Sequence, residues 1–314
     1  MAAHESPVRA EQVCAVVVTH RPVVARLRPV LAVLDGAVGA VILVDDCTPQ
    51  WDPRTLCADY PALIVKQLHA NAGIAAAQNE GIALARARNA SHVLFLDQDS
   101  MPQVGMVAAL KEGLERLEQE GLRVACVGPR TRFPGSADLS GFTTLGWLGP
   151  RQMICRGADA AVECDTLISS GTLVPLSVID ALGGMDERLF IDLVDTEWCL
   201  RAKARGYGAF GVCGAVLEHR LGETRRRLWI GRWRQVPRHQ PFRYYYIFRN
   251  TLLLARRPYV PLKVVLFQAM WLAGLFLTFG IFGGSGELRM MLRGIADGLR
   301  GVTGKLEDQH QHQH

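Results

Sequence analysis

Short apolar runs alternate with amphipathic stretches along the first half of the chain. The runs are rich in β-branched residues, as buried strands are, and they cover residues 13–19, 40–44, 63–68, 92–96 and 124–127. The amphipathic stretches have helical spacing and cover residues 22–34, 74–89 and 104–119. This alternation predicts an α/β fold in which a mainly parallel central sheet carries helices on both faces.

Polar residues stand where three of the apolar runs end. They are Thr19, His20, Arg21, Asp45, Asp46, Asp97, Gln98 and Asp99. In open α/β sheets, ligands bind outside the carboxyl ends of the strands. We therefore expect these side chains to meet at one edge of the sheet and to form a site there.

The rest of the α/β region adds shorter elements. Residues 131–170 are rich in glycine and β-like runs, which predicts additional antiparallel strands. Residues 173–182 begin as a strand and turn at Pro175 into a helix. A helix is predicted over 197–206 and a strand over 208–213.

The last hundred residues differ in character from those before them. Residues 220–257 are basic and aromatic, 260–283 are almost entirely apolar, and 288–302 are amphipathic. A membrane-spanning helix needs about 20 apolar residues, so 260–283 could span, lie in the interface, or be a buried core helix. Because basic residues flank it at both ends, we favour an in-plane contact with a membrane or with another subunit.

The formal net charge of +5 is unevenly distributed. Residues 201–260 hold 14 basic and 2 acidic residues and carry +12, whereas the rest of the chain carries −7. Such a contrast indicates an anionic partner near the basic segment or an ordinary solvated basic face. No recognised nucleic-acid-binding motif accompanies it, so we do not expect a nucleic-acid partner.

Eight cysteines are scattered along the chain without any CxxC pair, which argues against a zinc ribbon. The first residues lack the apolar segment of a signal peptide. Together these features favour unpaired cysteines in a reducing cytosol. The His/Gln alternation at the C-terminus is interpreted as a tag or tail rather than a metal site.

The Asp97-Gln98-Asp99 sequence places two carboxylates one residue apart at the end of an apolar run. Close carboxylates are costly together unless a cation bridges them, and Mg²⁺ or Mn²⁺ would bring substrate phosphates with it. A strand-end turn or a helix cap explains so short a motif equally well. No GxGxxG follows the first run, which argues against a dinucleotide oxidoreductase.

Two further segments could carry chemistry. Asn71 and Gly73 precede an Ala-rich helix and could offer donors to an anion, or simply cap the helix. Asp192, Asp195 and Glu197 cluster where another helix should begin. Acids are favoured there by the helix dipole, but a general base also needs a positioned carboxylate.

Seven motifs in order resemble family 2 glycosyltransferases of the GT-A fold, and among these the bacterial rhamnosyltransferases. The motifs are VVVTHRP, ILVDDCT, NAGIAAAQNEGI, LFLDQDS, SSGTLVP, GGMDERLFIDLVDTEWCLRAKARGYG and LEHRLGE. The segments FRYYYIFRNTLLLARR and LRGIADGLRGVTGK are also similar to that subgroup. The resemblance covers residues 13–305 and implies a GT-A catalytic domain over 13–222, a basic and apolar helical extension over 223–305, and tails at 1–12 and 306–314.

The resemblance also implies roles for individual residues. It assigns the nucleotide-sugar contacts to Thr19, Arg21, Asp45, Asp46, Asn71, Gly73 and Asp97. It makes Asp99 and His219 the ligands of a divalent metal and Asp195 the catalytic base, with Asp192 and Glu197 as alternatives for the base. The acceptor-side or supporting residues would be Ser170, Gly171, Asp192, Glu197 and Trp198.

Two departures from the subgroup modify this expectation. His20 stands where the subgroup usually has Asn, which affects the nucleotide contacts. The QxxRW motif of processive synthases is missing, which suggests that one or a few sugars are added.

The implied activity is inverting transfer of L-rhamnose from dTDP-β-L-rhamnose to a hydroxyl of a glycan or polyprenyl-diphosphate-linked acceptor, during bacterial surface polysaccharide synthesis. A UDP- or GDP-hexose donor is the alternative, and a sugar nucleotidyltransferase is a second class. The expected location is the cytoplasmic face of the inner membrane, where the arginines at 225–227, 232 and 234 could contact acidic headgroups. A homo-oligomer is also possible.

Overall fold

A computed structural model describes residues 12–146, 149–219, 224–229, 233–281 and 284–307, with the side chains of 149, 224–229, 233–238 and 281 left out. The predicted tails therefore lie almost entirely outside the described residues. Arg232 and the side chains of the arginines at 225–227 and 234 lie outside them as well, so their predicted membrane contact stays a prediction.

The first half of the chain forms alternating strands and helices. They are β1 (Val13–Thr19), α1 (Val24–Leu34), β2 (Ala40–Asp45), β3 (Leu63–Gln67), α2 (Ile74–Ala87) and β4 (His92–Asp97). A 3₁₀ helix at Pro53–Ala58 precedes β3. The four strands pair in parallel in the order β3-β2-β1-β4. All seven residues of β1 are buried, which explains its unbroken apolar sequence.

The second half extends the same sheet. Its elements are β5 (Met101–Pro102), α3 (Met106–Gln119), β6 (Val124–Arg132), β7 (Phe142–Gly146), β8 (Gly149–Met153), β9 (Ala161–Cys164), β10 (Leu173–Pro175), α4 (Leu176–Leu182), α5 (Val194–Ala204) and β11 (Gly208–Glu218). β10 lies antiparallel between β4 and β6, and β11 runs parallel to β6. β7, β8 and β9 form antiparallel pairs, so the prediction for 131–170 is confirmed.

The C-terminal extension begins with strands. β12 (Thr224–Trp229) and β13 (Trp233–Arg238) form a two-stranded antiparallel sheet, which was not predicted and which precedes the predicted helical part. Three helices follow, and they are α6 (Pro241–Ala255), α7 (Leu262–Leu275, continued as a π-helix over Phe276–Ile281) and α8 (Ser285–Arg300). α6 was not predicted. Ten of its fifteen residues are buried, so it lacks the polar face that marks most surface helices.

The extension packs into the rest of the protein. Leu253 and Leu254 of α6 belong to the same hydrophobic core as α2 and β1. Glycines of α8 allow close approach to α6, since a Cβ on Gly294 would lie 2.5 Å from the carbonyl oxygen of Tyr245. The helices of the extension are therefore packed against the hydrophobic core of the sheet.

One disulfide bond joins Cys155 to Cys213. The expectation that all the cysteines are unpaired is therefore wrong. The two residues are 58 positions apart, and Cys213 lies on β11. Their spacing carried no signal of this pairing, which depends on how the segment after β8 packs on the sheet.

His92 of β4 makes the stability of the protein dependent on pH. Burial, with a smaller contribution from the charge of Lys111, lowers the pKa of His92 to about 4. In the unfolded chain a histidine binds its proton near pH 6.5. Stability is therefore expected to fall by about 3 kcal/mol as the pH drops from about 6.5 towards 4. The unfolding midpoint in urea, measured across this range, should decline less in His92→Gln than in the unchanged protein.

Candidate active site

The strand-end segments meet at the carboxyl edge of the parallel sheet, as predicted. Thr19 pairs with Asp45 in the β1–β2 register, and Val18 pairs with Asp97 in the β1–β4 register. The backbone N–H of His20 donates to Oε1 of Gln98 at 2.9 Å. Residues from three strands are thus held together at one edge.

Thr19 and Asp45 lie beneath this edge rather than on it. Both are 0% exposed. Asp45 accepts hydrogen bonds from the Thr19 hydroxyl at 3.0 Å and from the backbone N–H and the hydroxyl of Thr48. Its acceptor positions are engaged inside the protein, so the two side chains support the loops from below. The direct contact of Thr19 and Asp45 with the nucleotide stays a prediction. The burial of both side chains argues against such a contact.

Asp46 connects the end of β2 to the loop before α2. Its carboxylate accepts the backbone N–H of Ala72 at 2.7 Å and of Gly73 at 3.0 Å. Burial raises the pKa of Asp46, although these two N–H groups oppose the shift. Asp46 therefore fixes the 71–73 loop and is itself nearly covered.

Asn71 carries an unused acceptor. Its Oδ1 is buried and has no hydrogen-bond partner among the described residues, while its Nδ2 lies 3.5 Å from Nε2 of His20. A buried unpaired acceptor is costly and is met mostly where a ligand or water completes it. His20, which replaces the Asn of the related sequences, is held through its Nδ1, 2.7 Å from the carbonyl oxygen of Asp46. Arg21 is exposed at the rim, with its backbone N–H bonded to the Thr48 hydroxyl.

Asp97 lies at the centre of a group of charges. Burial raises its pKa, the negative charges of Asp99 and Asp195 raise it further, and the charges of His219 and Arg243 oppose the shift. The five residues therefore share one electrostatic environment. The charges of Asp99, Asp195 and His219 thus act on Asp97, and the roles that the resemblance implied for these four residues stay predictions.

The metal expected at this edge has a partial ligand set. Among the residues that the structure describes, no three His, Cys, Asp or Glu side chains are arranged to hold an ion. Nδ1 of His219 lies 2.6 Å from the Ser100 hydroxyl. However, Mg²⁺ is commonly bound by one or two carboxylates together with substrate phosphates. The excess negative charge around Asp97 and Asp99 fits a cation that arrives with a diphosphate.

Asp195 lies in the first turn of α5. Its carboxylate accepts the backbone N–H of Thr196 at 2.7 Å and of Ser169 at 3.2 Å. Burial nevertheless raises the pKa of Asp195, and the charge of Asp192 adds to the shift. A positioned carboxylate whose pKa is raised is suited to accept a proton from a hydroxyl group.

The turn at 169–171 links the two halves of the site. Ser169 holds the Asp195 carboxylate, and the Ser170 hydroxyl accepts the backbone N–H of Asp97 at 3.0 Å. Gly171 has φ +84°, and a Cβ there would lie 2.6 Å from the Pro129 ring. Ser170 and Gly171 thus have supporting roles. Ser169 was missed because its contact is made by a backbone N–H, which side-chain patterns do not reveal.

Glu197 and Trp198 are structural. Glu197 is 1% exposed and forms a bidentate ion pair with Arg201 at 2.9 and 2.8 Å. It also accepts a hydrogen bond from the Tyr259 hydroxyl. Burial and this hydrogen bond raise the pKa of Tyr259 to about 12. With both oxygens engaged, Glu197 is not available as the base. Trp198 is buried and donates its indole N–H to the carbonyl oxygen of Gly183, so it does not line the site.

Sequence reasoning missed the residues that α6 contributes. Arg243 forms an ion pair with Asp192, which engages the other alternative base. Arg249 and Asn250 contact the loop before α5. These partners are about fifty residues or more apart in sequence, and only the similarity of the FRYYYIFRN segment to related chains marked this helix.

Gly73 is expected to tolerate no side chain. It has φ +89°, and a Cβ would lie 2.5 Å from both the carbonyl oxygen and the ring of Phe190. Gly36 has a similar φ of +77° with nothing within 4 Å, so Gly36→Ala is a matched control. Both changes cost about 1–2 kcal/mol for the left-handed backbone. Gly73→Ala should cost about 1–3 kcal/mol more because of overpacking, measured by urea unfolding. Equal losses in the two variants would contradict this contact.

Comparisons with known proteins agree with the fold. The model of glycosyl transferase family 2 matches residues 27–165. The chain is 30% identical over 294 residues to dTDP-rhamnosyl transferase RfbF of Shigella flexneri, which covers 92% of this chain and 96% of that protein.

Two solved structures share the fold. GalNAc-T7 with UDP, GalNAc and Mn²⁺ has a TM-score of 0.57 and 12% identity, covering 85% of this chain and 57% of its own. S. aureus TarS 1-349 in complex with UDP-GlcNAc has a TM-score of 0.54 and 14% identity, covering 93% of this chain and 81% of its own. The chain thus spans little more than half the length of GalNAc-T7. These likenesses identify the architecture as GT-A.

Proposed function

This chain belongs to glycosyl transferase family 2, and we propose that it transfers L-rhamnose from dTDP-β-L-rhamnose to an acceptor hydroxyl with inversion. It is a glycosyltransferase that takes its sugar from a nucleotide sugar. The relative from Shigella flexneri, named a dTDP-rhamnosyl transferase and similar along nearly the whole chain, supports the choice of donor.

One observation carries the mechanism: the turn at 169–171 bonds to both Asp97 and Asp195, and burial raises the pKa of Asp195. The acceptor hydroxyl attacks the anomeric carbon while Asp195 takes its proton. A new carbon–oxygen bond forms, and the bond to the diphosphate breaks. The electron pair leaves with the nucleoside diphosphate. No covalent intermediate with the protein is needed.

The leaving diphosphate develops negative charge next to three carboxylates. Asp99, with Asp97 and His219, would hold Mg²⁺ or Mn²⁺, which neutralises that charge when bound. The GalNAc-T7 structure was determined with Mn²⁺, and this chain shares its fold. Nε2 is the nitrogen of the His219 ring that could face the ion, since Nδ1 lies against Ser100.

The nucleotide would lie over the loops at the ends of β1 and β2. Oδ1 of Asn71 is the unpaired acceptor there, and Arg21 is the exposed cation at the rim. Because Gly73 has no side chain, the loop can pack closely against Phe190. Thr19, Asp45 and Asp46 hold these loops from within.

A donor screen tests this function. Purified protein with Mn²⁺ or Mg²⁺ is incubated with dTDP-rhamnose, UDP-hexoses and GDP-hexoses, and thermal stability and nucleotide release are measured. A bound donor raises the apparent stability. We expect the largest shift with dTDP-rhamnose and release of dTDP. A response to a UDP- or GDP-sugar alone would overturn the donor, and release of pyrophosphate would identify a nucleotidyltransferase.

The acceptor is proposed to be a glycan or a polyprenyl-diphosphate-linked saccharide at the cytoplasmic face of the inner membrane. One described helix, Leu262–Gly280, is long and apolar enough to cross a membrane, with 28% of its apolar window buried in protein. Its exposed face carries Leu262, Leu266, Met270 and Leu277. Exposed apolar faces of this kind mark membrane or protein contacts, and the basic segment at 225–234 would suit an anionic lipid surface.

Vesicle binding tests the membrane contact. Leu266→Glu with Met270→Glu should reduce sedimentation with vesicles that contain anionic lipid about tenfold or more, because two charges would face the acyl chains. Donor-dependent dTDP release in solution should stay unchanged. If the unchanged protein ignores vesicles but self-associates, and the double variant is monomeric, the face is instead a contact between subunits.

A further inference from the structure

The loop that precedes the catalytic helix is held in a disfavoured backbone conformation. Phe190, Asp192 and Leu193 have φ values of 66°, 64° and 63°, and none of them is glycine. Such conformations persist only where the surrounding structure determines them, and they concentrate at functional sites. The loop ends at Val194, one residue before Asp195.

Asn250 of α6 binds the backbone of this loop. Its Nδ2 lies 3.0 Å from the carbonyl oxygen of Leu189, 2.8 Å from that of Ile191 and 2.9 Å from that of Asp192. An amide group has two N–H donors, so all of its donor capacity is directed at three carbonyl groups of the loop backbone. Its Oδ1 accepts from Nε of Arg249 at 2.9 Å.

Arg249 also donates hydrogen bonds to the backbone of this loop. Its Nη2 lies 2.9 Å from the carbonyl oxygen of Leu189, and its Nη1 lies 2.5 Å from that of Gly304. The guanidinium stands over the ring of Tyr246, 4.8 Å from its centroid. Arg249 and Asn250 are both 0% exposed, so these bonds form away from water and are difficult to replace.

Two further side chains of α6 act at the same place. The ring of Tyr246 stacks on Phe190 with centroids 5.1 Å apart, and Arg243 pairs with Asp192. Residues 243, 246, 249 and 250 lie on one face of the helix. The other side of Phe190 touches Gly73. The loop therefore lies between α6, the base and the loop that carries Asn71.

We propose that Arg249 and Asn250 are positioning residues that place the Asp195 carboxylate for proton transfer. This inference rests on the proposed function, in which Asp195 is the base. Neither residue needs to touch a substrate, because both act through the backbone at 189–192. Displacing a reacting group by about 1 Å can cost about 10²-fold in rate. The C-terminal extension is thus required for chemistry and not only for docking.

Asn250→Asp tests this with little change of shape, since it replaces the amide donors by an acceptor. Arg256→Gln is the matched control. Arg256 lies on the same helix and donates to the carbonyl oxygens of Gly298 and Leu299 at 2.6 and 2.7 Å, away from the loop. We expect kcat to fall about 10²-fold in Asn250→Asp, with donor Kd within about threefold. Arg256→Gln should keep the kcat of the unchanged protein, although its thermal stability should fall about as much as that of Asn250→Asp.

Hydrogen exchange of the amides of 189–196 keeps the test informative if activity is too low to measure. Exchange there should accelerate in Asn250→Asp and in Arg249→Gln but not in Arg256→Gln. A folded Asn250→Asp with kcat within threefold of normal would overturn the proposal, and so would an equal loss of kcat in Arg256→Gln. If the unchanged protein transfers no sugar from any donor, the proposed function fails, and the exchange data still report on the loop.

Discussion

Asp195→Asn is expected to lower transfer about 10³-fold while donor affinity stays within about threefold. The change keeps the size of the side chain and removes the group that accepts the proton, and general-base catalysis contributes about 10²–10⁴-fold. Because burial raises the pKa of Asp195, the ionised carboxylate costs the folded state free energy at neutral pH. The variant should therefore unfold at the same temperature as the unchanged protein or at a higher one.

Glu197→Gln is the comparison for this variant. Glu197 lies in the same turn of α5, but its carboxylate is buried against Arg201 and Tyr259. Breaking a buried pair costs about 3–5 kcal/mol, so this variant should lose stability. Below its unfolding temperature it should keep turnover within about tenfold. Near-normal turnover in Asp195→Asn would contradict the assignment of Asp195 as the base. A 10³-fold loss of turnover in folded Glu197→Gln would identify Glu197 as the base instead.

The same carboxylate should control the acid side of the pH–rate profile. The ionised form is the active one, so kcat falls as the pH drops through the pKa of Asp195. Burial and the charge of Asp192 raise this pKa above its usual value of 3.8, against the N–H groups of Thr196 and Ser169. The half-maximal point should therefore lie above that value. A kcat that stays level down to pH 4 would contradict the raised pKa.

Removal of the divalent cation is expected to produce the second large loss. Chelation by EDTA should lower transfer about 10²–10³-fold, since a cation on the leaving diphosphate supplies several kcal/mol of charge stabilisation. Added Mn²⁺ or Mg²⁺ should restore activity. Asp99→Asn should show a similar loss that added metal does not repair, because one of the carboxylates that hold the ion is gone.

The control for Asp99 is Asp180→Asn, an exposed carboxylate of α4 paired with Arg86 of α2. It should leave metal dependence and turnover unchanged. His219→Gln separates two roles of this histidine: loss of metal affinity supports ligation, whereas unchanged metal affinity leaves it a partner of Ser100. Full activity of Asp99→Asn in the presence of EDTA would contradict a metal site at this edge.

The parallel half of the fold could be predicted because its signals are local. β1 occupies the predicted residues 13–19, and the polar residues after β1, β2 and β4 meet where topology requires. The catalytic helix was predicted from 197 but begins at Val194. That start depends on the left-handed backbone at Leu193, which contacts from α6 stabilise. Contacts so distant in sequence leave no periodic pattern.

The three acids around the start of α5 show the same limit within the site. The sequence alone does not distinguish the carboxylates of Asp192, Asp195 and Glu197. Their partners in the folded protein do. Asp192 pairs with Arg243, and Glu197 is enclosed by Arg201 and Tyr259. Among the described residues, the hydrogen-bond donors to Asp195 are backbone N–H groups and the hydroxyl of the adjacent Thr196. The chemistry of a carboxylate therefore followed from burial and partners, which only the folded chain supplies.

The anomeric form of the first product tests the mechanism most directly. Water serves as the acceptor when dTDP-β-L-rhamnose is incubated with the protein and Mn²⁺ or Mg²⁺, and proton NMR identifies the rhamnose released in the first minutes. Single displacement assisted by Asp195 predicts α-L-rhamnose together with dTDP, and neither product above background with Asp195→Asn. Release of β-L-rhamnose first, at a rate that Asp195→Asn leaves unchanged, would contradict both the inversion and the base.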